Sequence, residues 1–204
     1  MKAAAHACAL LPFAALLADV QADRLGADPV AELTHRTGEW ALWALLACLS
    51  MTPLRRLLGR PWPLRFRRML GLYAFFYTSL HLAIYLVLDL GGYWTQIGED
   101  LLKRPFITVG FASWLLMLPL AATSTRTAMR HLGRRWNALH RAVYPAGILA
   151  ILHFWWQVKA DWREPALYGV ILLVLLAARV RRGGSARTEQ EQRGQRRGKQ
   201  ARGQ

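Results

Sequence analysis

Residues 69–90 read Met69-Leu70-Gly71-Leu72-Tyr73-Ala74-Phe75-Phe76-Tyr77-Thr78-Ser79-Leu80-His81-Leu82-Ala83-Ile84-Tyr85-Leu86-Val87-Leu88-Asp89-Leu90, with Asp89 as the single charged side chain. At about 1.5 Å per helical residue a run of this length crosses a hydrocarbon layer roughly 30 Å thick. Its polar exception in mid-span is His81. An imidazole in hydrocarbon needs a partner to offset its desolvation, and for a neutral imidazole the commonest functional partner is a metal.

Working outward, five further apolar runs accompany this one, so the candidate spans are Ala3–Val20, Gly38–Pro53, Met69–Leu90, Phe106–Ala122, Leu139–Val158 and Ala166–Val180. Several fall short of the ~20 residues expected of a span, and the second reaches that length only by recruiting Thr34–Thr37 or Leu54. The predicted fold class is all-α: a polytopic membrane helical bundle of about six transmembrane helices. With 204 residues, 54% hydrophobic content, nine Trp and a net charge of +15, the chain fits a membrane class, and its arginines carry topology rather than a nucleic-acid footprint.

The connections alternate in charge. Arg55, Arg56, Arg60, Arg65, Arg67 and Arg68 join spans two and three, Arg126, Arg130, Arg134 and Arg135 join four and five, and Arg179, Arg181 and Arg182 open the C-terminal tail. The intervening connections hold Asp19, Asp23, Asp28 and Glu32, then Asp89, Glu99 and Asp100, then Asp161 and Glu164. By the positive-inside rule the arginine-rich segments are cytoplasmic, which puts both termini in the cytoplasm. Trp40, Trp43, Tyr93, Trp94, Trp156 and Trp162 fall near outer span ends, and Trp62 and Trp136 near inner ones, as headgroup-level aromatic belts should. Met1–Ala22 also has the pattern of a cleavable signal peptide, with Lys2 before an apolar run and Val20-Gln21-Ala22 at its end.

The expected domains are a transmembrane domain over 1–182 and a basic cytoplasmic tail over 183–204, too poor in apolar residues to fold alone and suited to anionic lipid. Cys8 and Cys48 form no CxxC or CxxCH pattern, so neither a disulfide framework nor covalent haem attachment is indicated. No phosphate loop, HExxH, nucleotide fingerprint or internal repeat is visible.

Spans three and five run in the same direction, so depths along them can be compared. His81 is about twelve residues, or ~18 Å, beyond the inner end of its span, and His153 about fourteen, or ~21 Å, beyond the inner end of its own. Two imidazoles at matching depth can grip one iron from opposite sides, and a bundle core accommodates the porphyrin between them. Zinc would need more ligands at that level, where no cysteine or carboxylate is available. Tyr77, Leu80, Leu82 and Tyr85 around His81, and Leu149, Leu152, Phe154 and Trp156 around His153, are the expected packing residues, though they would serve helix packing equally. His140 lies ~19.5 Å nearer the cytoplasm than His153 and cannot share that iron, and the two would not share a helix face unless Pro145 bends or unwinds the helix between them. The bland alternative for each histidine is an imidazole bonded to a neighbouring helix. His6, His35 and His131 are read as ordinary polar residues.

The series Thr123-Ser124, Leu132-Gly133-Arg134-Arg135-Trp136-Asn137-Ala138-Leu139-His140-Arg141-Ala142-Val143-Tyr144 and His153-Phe154-Trp155-Trp156, with Arg67-Arg68-Met69-Leu70-Gly71-Leu72 through Tyr77 and His81, resembles the haem-binding membrane subunit of the bacterial periplasmic methionine-sulfoxide reductase system. The resemblance covers roughly Gly38 to Val180. That family is similar in turn to ferric-reductase and NADPH-oxidase membrane domains, in which paired histidines on the third and fifth helices hold stacked b-type haems. Here Arg67 stands where the larger relatives carry the inner histidine of the third helix. The resemblance therefore implies one haem b with His81 and His153 as axial ligands, and makes His140 a candidate for a second haem, a propionate contact, or a flavin or quinone site.

The resemblance further implies a conduit rather than an enzyme that converts substrate itself. Electrons enter from a cytoplasmic flavin reductase or the quinone pool and leave to a periplasmic molybdopterin-containing reductase that repairs oxidised methionine. FMN is implied by the family alone. Arg67, Arg68 and Arg141, with Arg134 and Arg135, are candidates to bind a phosphate or haem propionates, against the plainer role of topology charge. The alternatives are a quinol-oxidising cytochrome b for another periplasmic oxidoreductase, and a non-redox transporter or assembly factor.

Overall fold

The computed structural model describes residues 2–93, 95–158 and 161–179, which are helical with no strand among them. The helices are α1 (Lys2–Gln21), α2 (Pro29–Leu58), α3 (Leu64–Ile84, prolonged by a π-turn Tyr85–Asp89), α4 (Gln96–Lys103), α5 (Pro105–Ala122), α6 (Arg126–Leu132), α7 (Arg134–Leu139, followed by a 3₁₀ turn His140–Ala142) and α8 (Val143–Gln157). A ninth helix, α9, covers 163–179. The expected tail over 183–204, Trp94 and Val180 at the end of the sixth expected span lie outside the described residues.

Among the described residues, four segments are long and apolar enough to cross a membrane: Ala3–Gln21, Pro29–Leu58, Leu64–Asp89 and Pro105–Ala122. The chain is a multi-pass membrane protein of helical bundle architecture. Large apolar side chains on its outside, among them Leu11, Leu115, Ile148, Val170 and Leu173, are exposed, as a lipid-facing surface requires and a water-facing one would not tolerate.

The second span begins nine residues earlier than the sequence pattern indicates, at Pro29 rather than Gly38. Asp28 caps it by accepting a 3.0 Å hydrogen bond from the Ala31 N–H, and Pro29 supplies a preset φ at the first turn. The polar residues that hid this start have partners within the protein: Arg36 reaches Asp19 of α1 at 2.9 Å and Glu32 at 2.5 Å, and the Thr34 and Thr37 hydroxyls bond back to Val30 and Leu33 carbonyls at 2.7 Å. Gly59, in the left-handed region at φ 64°, ends the helix.

Two antiparallel helix pairs organise the bundle, α2 with α3 and α5 with α8. A buried cluster of Leu42, Leu45, Leu46, Leu49, Ala74, Met117, Ala146, Tyr168 and Leu172 joins α2, α3, α5, α8 and α9. Polar clips fix the same elements: Ser113 Oγ donates to the Ala146 carbonyl at 2.9 Å, Trp114 Nε1 to Ser79 Oγ at 3.0 Å, and Trp43 Nε1 to Tyr168 OH at 2.8 Å. Helix α1 leans on α3, where the Tyr77 hydroxyl donates to the Ala9 carbonyl at 2.6 Å. Tyr77 is thereby turned toward α1, away from the position beside His81 expected of it.

Pro145 occupies the first turn of α8, where its missing N–H leaves no helical bond unmade. The helix between His140 and His153 is irregular just before it, in the 3₁₀ turn His140–Ala142.

Candidate functional site: two imidazoles facing across a cavity

Beyond the leucine cluster, at the end of the bundle where α2 and α5 begin and α3 and α8 finish, the helices part around a cavity of about 870 Å3. That lies within the ~300–1,000 Å3 usual for cofactor sites. Its walls are mostly apolar, with Leu82, Leu86, Phe106, Ile107, Phe111 and Trp114 among them, while Asp28, Asp89, Arg104 and Gln157 are its polar residues toward the helix ends. Helix α4 contributes Ile97 and Leu101.

His81 of α3 and His153 of α8 meet in this cavity with ring centres 6.0 Å apart and planes at 82°. Each ring is anchored in the same manner. His81 Nδ1 donates to the Thr34 carbonyl at 2.9 Å, and His153 Nδ1 donates to the Phe106 carbonyl at 2.7 Å. A carbonyl oxygen can only accept, so the proton of each neutral ring resides on Nδ1 and the lone pair on Nε2. Both accepting residues precede their histidine by 47 positions, and a glycine follows each acceptor by one helical turn, Gly38 and Gly110.

This donor set suits a metal held between two imidazoles. Two imidazole–metal bonds of about 2 Å, added to the half-widths of two five-membered rings, put ring centres roughly 6 Å apart. A bare ion is less well served, because among the described residues no three His, Cys, Asp or Glu side chains converge. A planar tetrapyrrole would supply the remaining ligands itself.

The other expected site residues are dispersed. His140 is in the 3₁₀ turn at the opposite end of α8, stacked on Trp136 with ring centres 3.8 Å apart, and its Nδ1 donates to the Trp136 carbonyl at 3.2 Å. Its Nε2 is buried with no hydrogen-bond partner among the described residues. The Arg67 carbonyl on α3 accepts from Cys48 Sγ at 3.1 Å. Arg68 faces away, into a groove shared with His6, Arg65 and Tyr73 between α1 and α3, and Arg141 is exposed. Of the expected porphyrin-packing residues, Leu82, Tyr85, Phe154 and Trp156 line the cavity, whereas Leu152 is exposed on the outside.

Sequence reasoning missed the anchoring carbonyls of Thr34 and Phe106, their companion glycines, and His35, which lines the cavity and lies against Phe154. The signal available was the recurring spacing of glycine to histidine along two otherwise dissimilar helix pairs.

Residues 37–151 match the family described as ferric reductase like transmembrane component. The chain is 60% identical over 192 residues to the protein-methionine-sulfoxide reductase heme-binding subunit MsrQ of Xanthomonas euvesicatoria pv. vesicatoria, covering 91% of this chain and 88% of that one. It belongs to the MsrQ family of ferric-reductase-like membrane proteins. The MsrQ proteins of Xanthomonas campestris pv. campestris (58% over 192 residues) and Ralstonia nicotianae (51% over 175 residues, 84% of this chain and 81% of that one) are further relatives. No solved structure matches the chain. As a member of the MsrQ family, the chain has its matched region running from the second helix into α8; it includes His81 and stops at residue 151, two residues before His153.

Proposed function

We propose that this protein is a membrane electron-transfer subunit that passes electrons through haem b, held by His81 and His153, to a periplasmic molybdopterin-containing methionine-sulfoxide reductase. The donor is a cytoplasmic flavin reductase, through FMN, or the quinone pool, and the setting is the bacterial inner membrane with arginine-rich connections and both termini cytoplasmic. The observation that carries the proposal is the opposition of two imidazoles whose Nδ1 protons are both committed to backbone carbonyls. Relatives named as heme-binding subunits of a methionine-sulfoxide reductase support it.

A haem bound there supplies reversible one-electron chemistry at iron. The chain does the rest. His81 and His153 would hold the haem iron through their Nε2 lone pairs, and with both imidazoles bound it would offer no open site to oxygen or a sulfoxide, so substrate reduction is assigned to the partner. Thr34 and Phe106 carbonyls hold the rings in one tautomer and raise their basicity. Leu82, Phe111 and Trp114 exclude water. His140, stacked on Trp136, is assigned to a second haem or donor-side group near the opposite face.

The full-length protein purified in detergent is expected to show the Soret band and reduced α-band of a low-spin b haem. His81→Ala and His153→Ala should each lose most bound haem, and full retention in both overturns the assignment. Dithionite-reduced protein should be reoxidised by the periplasmic reductase in the presence of methionine sulfoxide, and failure of that transfer removes the proposed acceptor. Flavin analysis of the same preparation tests the FMN route.

A further inference from the structure

A side chain on a helix leans toward the N-terminus and covers the turn before its own Cα. The residue one turn after a carbonyl therefore shields that carbonyl from the neighbouring helix. At Thr34 and Phe106 the shielding position is glycine, and in each case the vacated space is taken by an imidazole. A Cβ on Gly38 would stand 3.0 Å from His81 Nδ1 and 3.1 Å from Cε1, and one on Gly110 would stand 2.7 Å from His153 Nδ1 and 2.9 Å from Cε1. The three nearest atoms at both positions belong to the histidine ring and none to backbone. Elsewhere in the bundle helical glycines meet ordinary packing: a Cβ on Gly147 would touch Leu172 at 3.5 Å and Leu45 at 3.8 Å.

Glycine inside a helix is destabilising relative to alanine. Close approach of two helices alone would bring backbone or several side chains against the missing Cβ, yet the three nearest atoms at each position are all the ring's. Both accepting carbonyls lie inside helices, that of Thr34 also accepting from the Thr37 hydroxyl at 3.1 Å, and the imidazoles reach them from the side the glycines leave open.

We propose that Gly38 and Gly110 are positioning residues: each is a notch that opens one carbonyl to a histidine Nδ1, and together they set the near-perpendicular orientation of His81 and His153. The proposal rests on those histidines being the haem ligands. A methyl group at Gly110 displaces the His153 ring, since no atom of the ring can stay at 2.7 Å. The Phe106 bond is lost with it, and the ring loses both its fixed proton and its fixed plane. At Gly38 the approach is tight, and the ring gives by a few tenths of an ångström. The two positions are therefore ranked, with Gly110 the more sensitive.

The test is haem affinity, midpoint potential and low-spin EPR signal of the full-length protein with Gly38→Ala, Gly110→Ala and Gly147→Ala. Loss of an outer-shell partner costs about 10–100-fold in metal affinity, and that loss is expected in Gly110→Ala, with the strongly anisotropic EPR signal of perpendicular imidazoles moved and the potential shifted. Gly38→Ala should retain haem and move the same EPR signal less, so the idea stays testable even where Gly110→Ala accumulates poorly. Gly147→Ala should match the parent. Parent-like spectra and affinity in both Gly38→Ala and Gly110→Ala, with haem present in the parent, overturn the notches alone. A colourless parent protein removes the haem reading and the notches with it.

Discussion

The indole of Trp136 lies flat against the imidazole of His140, with ring centres 3.8 Å and planes 26° apart, and is itself held by a 3.0 Å hydrogen bond from its Nε1 to the Thr123 carbonyl. This stack belongs to the turn between α7 and α8, while the cavity histidines sit at the far end of α8. The two sites are therefore separable by substitution. His140→Ala and Trp136→Ala are expected to leave the low-spin haem of His81 and His153 at full occupancy in a haem-to-protein ratio, while any second haem or donor-side group is lost from the first variant and weakened in the second. Loss of the His81–His153 spectrum in His140→Ala would contradict the separation.

Ser113 is buried and donates to the Ala146 carbonyl across the α5–α8 pair. The Ala146 oxygen sits inside α8, so removing the hydroxyl strands no acceptor. Ser113→Ala should cost about 0.6 kcal/mol and no more than about 1.7, the span measured for hydrogen bonds between membrane helices, with haem content unchanged. Thermal unfolding followed by circular dichroism in one detergent checks it, and a loss above 3 kcal/mol would mean the contact does more than join two helices.

Arg179 ties α9 to two neighbours, donating from Nη1 to Tyr144 OH and from Nη2 to the Leu49 carbonyl, each at 2.6 Å, with its guanidinium 5.2 Å from the Tyr144 ring centre. Two diverging acceptors and an aromatic face call for a planar fork, which lysine lacks. Arg179→Ala should destabilise the bundle by about 1.5–3 kcal/mol, and Arg179→Lys should recover less than half of that. Equal melting points for Lys and Arg variants would show that charge alone matters.

The spans and the histidine pair were legible because helix rise is constant. Counting residues from the arginine-rich ends put His81 and His153 at one depth, and their rings do meet. The start of α2 was not legible, since Thr34, His35 and Arg36 look like the end of a span until Asp19, Glu32 and the cavity are known to receive them. Pro145 marks the irregularity between His140 and His153, but whether a proline bends a helix or stands in its first turn depends on the turn it occupies. Of the residues expected around the two histidines only some line the cavity, because an apolar residue can face cavity, helix or lipid, and periodicity does not distinguish them when every face is apolar. Amphipathic α4 escaped notice as eight residues between longer runs.

His81 belongs to one helical hairpin and His153 to the other, and the space between them lies on the dividing plane. Each hairpin can seat its own imidazole against its own glycine before the halves come together. A group bridging the two rings would add a clasp to the leucine cluster and the Trp114–Ser79 bond that already join the halves, so its binding would be coupled to the docking of one hairpin on the other.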